Sequence, residues 1–176
     1  QRDAVGLTVY GEAIASSLPP RSTRLSLYRL LRELERVEGG TGTRTAEVLH
    51  QVAEQIKRRG LVIILSDLLD EAGEVLNAFK HFRHRGHEVL VLHILDPQER
   101  LFGFGSDAVF RDMETGEELP TQPWHIRDAY REAFRAFLDR YRHECLESNI
   151  DYVLLDTSTP FDTALLEYLN KRKRMH

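Results

Sequence analysis

Short apolar runs alternate with amphipathic stretches along this chain. Residues 4–10, Ala-Val-Gly-Leu-Thr-Val-Tyr, have the composition of a strand. Gly11-Glu12 suits a turn into a second short strand at 13–18, which Pro19-Pro20 is expected to stop. Leu25, Tyr28, Leu31 and Leu34, with Leu27 and Leu30 alongside, recur at helical spacing and predict a helix over 24–36. A flexible Gly39-Gly40-Thr41-Gly42-Thr43 loop leads into a helix at 44–59 that should bury Val48, Leu49, Val52 and Ile56 and end at Gly60. The continuous apolar run 61–65 predicts a strand covered on both faces of a parallel sheet. A helix at 73–85 carries Val75, Phe79 and Phe82, and 88–95 is another buried strand ending at Asp96-Pro97. Residues 99–121 break the alternation and predict a loop or small β-insertion, with a hairpin around 112–117. The strongest helix, 125–147, aligns Ile126, Tyr130, Phe134, Phe137, Tyr141 and Cys145 on one stripe. A strand at 152–155 and a helix at 161–171, using Ala164, Leu165, Tyr168 and Leu169, close the pattern. Strands alternating with helices imply a doubly wound, Rossmann-like α/β sheet.

Composition narrows this picture. At 176 residues, with 41% hydrophobic and 30% charged residues, the chain suits one globular domain over 1–176. The formal net charge of −4 disfavours a nucleic-acid binder, and Lys171-Arg172-Lys173-Arg174 is better explained as a frayed terminus. The single Cys145 excludes an internal disulfide framework and sits on an apolar stripe, where it serves as a small buried side chain. No apolar run approaches a membrane span and no signal peptide opens the chain, so a cytoplasmic location is expected, with a membrane anchor upstream of Gln1 as the alternative.

In open α/β sheets ligands bind outside the carboxyl ends of the strands. Those ends carry Ser66, Asp67 and Asp70, then Asp96, then Asp156, Thr157 and Ser158, while the glycine-rich loop adds Thr41 and Thr43. Carboxylates and hydroxyls are the oxygen donors that magnesium selects. The same residues also cap helices, which is the better reading for Asp96 and Asp156. His81, His84 and His87 could line a metal face, but Arg83 and Arg85 interleave with them, so a solvated basic face fits better. His93, inside an apolar strand, reads as a satisfied core histidine. Asp67-Leu68-Leu69-Asp70 has the look of a phosphatase motif with the wrong spacing, and no nucleophile elbow, Walker loop or dinucleotide fingerprint occurs.

The ordered pieces resemble a von Willebrand factor A-like domain, and more narrowly the bacterial domain-of-unknown-function family 58. The resemblance rests on Arg2-Asp3-Ala4-Val5-Gly6-Leu7, Gly39-Gly40-Thr41-Gly42-Thr43 and Val62-Ile63-Ile64-Leu65-Ser66-Asp67-Leu68. It continues through Val91-Leu92-His93-Ile94-Leu95-Asp96-Pro97-Gln98-Glu99, Arg111-Asp112-Met113-Glu114-Thr115-Gly116 and Asp151-Tyr152-Val153. It implies a mostly parallel sheet flanked by helices and a metal-ion-dependent adhesion site. In such a site the threonine is Thr41 and the strand-end aspartate is Asp67, with Thr43, Ser66 and Asp70 as weaker candidates. The family's Asp-x-Ser-x-Ser loop has no counterpart here, and its first strand and first helix are expected upstream of the segment that aligns with Gln1. The site is therefore expected to be incomplete, with Mg2+ held tightly only in the intact protein. A missing central strand would leave a gap of roughly 10 Å between the strands at 4–10 and 61–65. Their bared edges would favour edge pairing or strand exchange with another chain.

The resemblance further implies a non-catalytic interaction or scaffold module, partnered with a MoxR-type AAA+ ATPase in assembling or maturing other proteins. The alternative is a metal-assisted hydrolase using the strand-end carboxylates. The insertion at 99–121 becomes a partner surface if Phe102 or Phe104 is exposed.

Overall fold

The computed structural model describes residues 3–37, 44–102, 108–111, 118–121 and 123–160, and beyond these 162, 166 and 169. β1 (Val5–Tyr10) and β2 (Ile14–Arg21) form an antiparallel hairpin, followed by α1 (Arg24–Leu34) and α2 (Thr45–Gln55). Three strands then build a parallel sheet in the order β3 (Leu61–Ser66), β4 (Glu88–Leu95), β7 (Asp151–Asp156). α3 (Ala72–His84) connects β3 to β4. α4 (Pro97–Leu101), the two-stranded β5 (Ala108–Arg111) and β6 (Glu118–Thr121), and α5 (Pro123–Glu147) connect β4 to β7. Of the insertion expected at 99–121, the described residues form the end of α4 and the antiparallel pair β5–β6, and the hairpin turn expected around 112–117 lies outside them.

One face of the parallel sheet carries the core. Ile64, Val89 and Val91 meet Leu49 and Ala53 of α2, Val75, Phe79 and Phe82 of α3, and Tyr141 and Cys145 of α5. Val75, Phe79, Phe82, Tyr141 and Cys145 are fully buried. The expected core positions of α2 and α3 therefore face inward. Turn chemistry sets the ends of these helices. Gly86, at φ 85°, ends α3 in the left-handed region, and its N–H and that of His87 bond back to Arg83 and Phe82. Asp96 accepts from the Gln98 N–H at 2.7 Å while Glu99 reaches back to the Asp96 N–H at 2.8 Å, a capping box that starts α4.

Several expectations change. β2 does not stop at Pro19-Pro20 but runs through them to Arg21. Proline has no N–H to give a ladder, yet it is tolerated on an edge or at a bulge, and the register shifts here between Val5 and Leu7. Gly6 lies at that shift, where an added Cβ would come within 2.8 Å of the Leu18 carbonyl oxygen. α2 ends at Gln55, not 59, because Ile56 turns extended at ψ 109° and its side chain still packs on the core. β3 is not covered on both faces: Leu61, Ile63 and Leu65 are 47%, 49% and 58% exposed, while Ile64 between them is 4% exposed. Of α1's apolar positions only Leu30 is buried; Leu25 and Tyr28 are 60% and 57% exposed. Ile126, placed on the α5 stripe by spacing, is also exposed. In the closing helix Leu169 is exposed, and Ala164, Leu165 and Tyr168 lie outside the described residues.

β1 and β3 do not pair. Among the described residues β1 bonds only β2, and β3 bonds only β4. The tip of the hairpin is tied to the start of α2, where the Arg44 N–H donates to the Gly11 carbonyl at 3.2 Å.

The two faces of β3 should respond differently to substitution. Ile64→Ala is expected to cost ~2–5 kcal/mol. Ile63→Thr on the open face should change stability by no more than ~0.5 kcal/mol. Urea midpoints of the two variants measure the contrast, and equal losses would mean that the outer face of β3 is covered in solution.

Candidate functional site at the carboxyl end of β3

The segment from Ser66 to Glu71 leaves the sheet where ligands of open α/β sheets bind. Its shape is fixed from several sides. The Leu68 N–H donates to Ser66 Oγ at 3.1 Å, a local turn. Leu68 itself sits at φ 53°, a left-handed conformation that costs a non-glycine residue roughly 1–2 kcal/mol. Full burial of its side chain, worth ~1.5–3 kcal/mol, offsets that cost.

From beneath, His93 holds the same loop. Its imidazole is fully buried, with Nε2 2.7 Å from the Asp67 carbonyl oxygen and Nδ1 2.6 Å from the Tyr152 hydroxyl. The carbonyl can only accept, so Nε2 carries the proton and Nδ1 accepts from Tyr152. Burial holds His93 below the usual imidazole range; the bond to the Asp67 carbonyl and the Asp67 charge pull weakly the other way. Tyr141 adds a long contact, its hydroxyl 3.5 Å from the Leu68 carbonyl oxygen. The reading of His93 as a satisfied core histidine therefore stands, and the ring has a further task in anchoring Asp67.

The expected site residues divide. Asp67 is exposed, and among the described residues its carboxylate receives one long hydrogen bond, from Ser66 Oγ at 3.4 Å. Asp70 is engaged at both oxygens, by the Thr45 N–H at 2.9 Å and the Glu71 N–H at 2.8 Å. Arg44, the residue before α2, offers no side-chain cap, so Asp70 supplies the carboxylate for that helix N-terminus across the fold. Thr41 and Thr43 lie outside the described residues. Asp96 and Asp156 are occupied as caps: Asp96 at Gln98 and Thr157, Asp156 at Ser158 with Arg100 at 3.4 Å.

Two residues at the site were not foreseen. Tyr10, at the end of β1, buries its hydroxyl beside Ser66 and Thr45 without a well-formed bond to either. Burial raises its pKa, and the charges of Asp67 and Asp70 raise it further. Thr45, 2% exposed, opens α2 beside it. The strand-end rule that selected Asp67 points to Tyr10 as well, since Tyr10 ends a strand.

Elsewhere the candidates recede. Cys145 is fully buried and its thiol is pushed up to about 12 by that burial. Phe102 is 5% exposed, its ring centroid 4.5 Å from that of Tyr130 and tilted by 36°, and so offers no partner surface; Phe104 lies outside the described residues. His87 is buried, apart from His84, which is exposed. Among the described residues no three His, Cys, Asp or Glu side chains converge to hold a metal, and no helix is long and apolar enough to cross a membrane.

The parallel sheet, its helices and the loop after β3 define a von Willebrand factor A-like fold. The chain belongs to the family described as "Protein of unknown function DUF58", which matches residues 1–143. No curated protein matches it. Its fold is similar to the conserved hypothetical protein BatB from Bacteroides thetaiotaomicron, with TM-score 0.57 and 19% identity over 99% of this chain and 81% of that one. It is also similar to an aerotolerance-related membrane protein from Bacteroides fragilis NCTC 9343, solved with multiple mutations to serines. There the TM-score is 0.51 and the identity 20%, over 97% of this chain and 81% of that one.

The buried imidazole gives the fold an acid sensitivity. An unfolded histidine takes a proton near pH ~6.5, whereas folded His93 resists it. Its contribution to stability is therefore complete above that pH and is lost as pH falls through the depressed folded value. His87, also held down mainly by burial, acts in the same direction. His93→Gln should cost ~1–3 kcal/mol at pH 7.5. It should also flatten, without abolishing, the fall in Tm between pH 6.5 and 5. An unchanged slope would assign the acid sensitivity to other groups.

Proposed function

We propose that this chain is a non-catalytic protein-interaction module that engages its partner at the carboxyl end of β3. The observation that carries the reading is the contrast between the two aspartates there. Asp70 is consumed in structure, whereas Asp67 presents a carboxylate on a loop fixed by Leu68 and His93. A rigid loop that displays one lightly engaged carboxylate suits recognition. A hydrolase would need further converging groups.

The donors beside it are hard oxygens: the Asp67 carboxylate, the Ser66 hydroxyl and the poorly satisfied Tyr10 hydroxyl. That set fits magnesium rather than a softer metal. Asp67, with Thr41, would hold Mg2+, and the ion would supply a coordination position for a partner's carboxylate. Following the family resemblance, the partner we infer is a MoxR-type AAA+ ATPase acting with this module in assembling or maturing other proteins. The location we infer is the cytoplasm, where such an ATPase finds its nucleotide.

Pull-down of a co-encoded MoxR-type ATPase by the full-length protein tests this. Capture is expected in magnesium and lost both in EDTA and with Asp67→Ala. Equal capture under all three conditions would overturn the reading. Asp70→Ala should behave differently, lowering stability by ~1 kcal/mol through loss of the α2 cap, as read from urea midpoints.

A further inference from the structure

A second cluster lies on the outer surface of the α2–α3 pair. His50 of α2 and His81 of α3 bring their Nδ1 atoms to 3.0 Å, with ring centroids 5.2 Å apart. His81 turns its other nitrogen, Nε2, to within 3.0 Å of Glu54 Oε1. Glu54 Oε2 lies 3.1 Å from Arg85. His50 and Glu54 are one turn apart on α2, as are His81 and Arg85 at the end of α3. The helices beneath are locked by fully or nearly fully buried Val48, Ala53, Ala78 and Phe82.

This arrangement fixes where the lone pairs go. The Glu54 carboxylate only accepts, so it favours the proton of His81 on Nε2 and leaves Nδ1 with its lone pair directed at His50. Two ring nitrogens then face each other with at most one proton between them when both rings are neutral. Metal–imidazole bonds of ~2.0–2.1 Å place two ligand nitrogens about 2.9 Å apart at a right angle and about 3.4 Å apart at a tetrahedral angle. The observed 3.0 Å lies between these limits, so a modest turn of the exposed His50 ring and the half-buried His81 ring suffices for both to bind one ion.

We propose that His50 and His81 form a binding site for an imidazole-preferring divalent metal such as Zn2+, Cu2+ or Ni2+, distinct from the oxygen donors near Asp67. The ion replaces the shared proton, and waters complete its shell. Glu54, held by Arg85, is the outer carboxylate that orients a ligating histidine. Helical spacing grouped His81 with His84 and His87 on its own helix. The fold pairs it instead with a histidine 31 residues away.

Calorimetric titration of the tag-free, full chain with ZnCl2 tests the proposal, with Cu2+ and its electron paramagnetic resonance spectrum as a second probe. One ion per chain is expected, with nitrogen hyperfine structure from two imidazoles. His50→Ala or His81→Ala should each abolish binding, and Glu54→Gln should weaken it by ~10–100-fold. His84→Ala and Asp67→Ala should leave it intact, so the result is independent of the magnesium reading. Both His50 and His81 lie on the surface, and circular dichroism melts of the variants confirm that they fold. Undetectable zinc binding by the folded wild type, or affinity unchanged in both histidine variants, would overturn it.

Discussion

One buried imidazole ties the sheet to the surface loop that crowns it. His93 occupies the middle strand of the parallel sheet, takes a proton bond from Tyr152 on one neighbouring strand and gives one to the Asp67 carbonyl beyond the other. Both ring nitrogens are satisfied only while three strand ends keep their relative positions. In an apolar interior an unmet polar group costs ~1–3 kcal/mol, so these bonds act more by forbidding other arrangements than by their net strength. A row of rings extends this constraint along α5. Tyr141 and Phe137 lie against His93, followed by Phe134, Tyr130 and finally Phe102 at the end of α4. The insertion after β4 is thereby seated on the same aromatic spine that supports the loop carrying Asp67.

Much of this architecture was legible in the residues. The strand at 88–95 and the helix around Val75, Phe79 and Phe82 appear where periodicity puts them, because their burial is decided by local pattern. Capping of Asp96 and the inert character of Cys145 follow equally from position. What failed were inferences about the far side of an element. The run at 61–65 looks the same whether one face or two are covered, since apolar side chains record composition and not contact. Pro19-Pro20 looked like a stop because the rule for proline assumes a regular ladder, and a bulge removes that premise.

The site was half legible for a related reason. Asp67 could be found because it ends a strand, but its distinction from Asp70 could not. That distinction is made by Thr45, 25 residues earlier in the chain, and no local spacing encodes it. Tyr10 and His50 were invisible for the same cause: each gains its meaning from a partner brought near only by folding.

The bond between Asp70 and the first amide of α2 also makes a mechanical link. Asp70 lies three residues beyond Asp67, and Thr45 opens a helix 25 residues earlier in the chain. The loop after β3 is thus held from below by His93 and from the side by α2. A shift of α2 along its axis would pull on that loop through a single carboxylate, so the helix and the loop that displays Asp67 are constrained to move together.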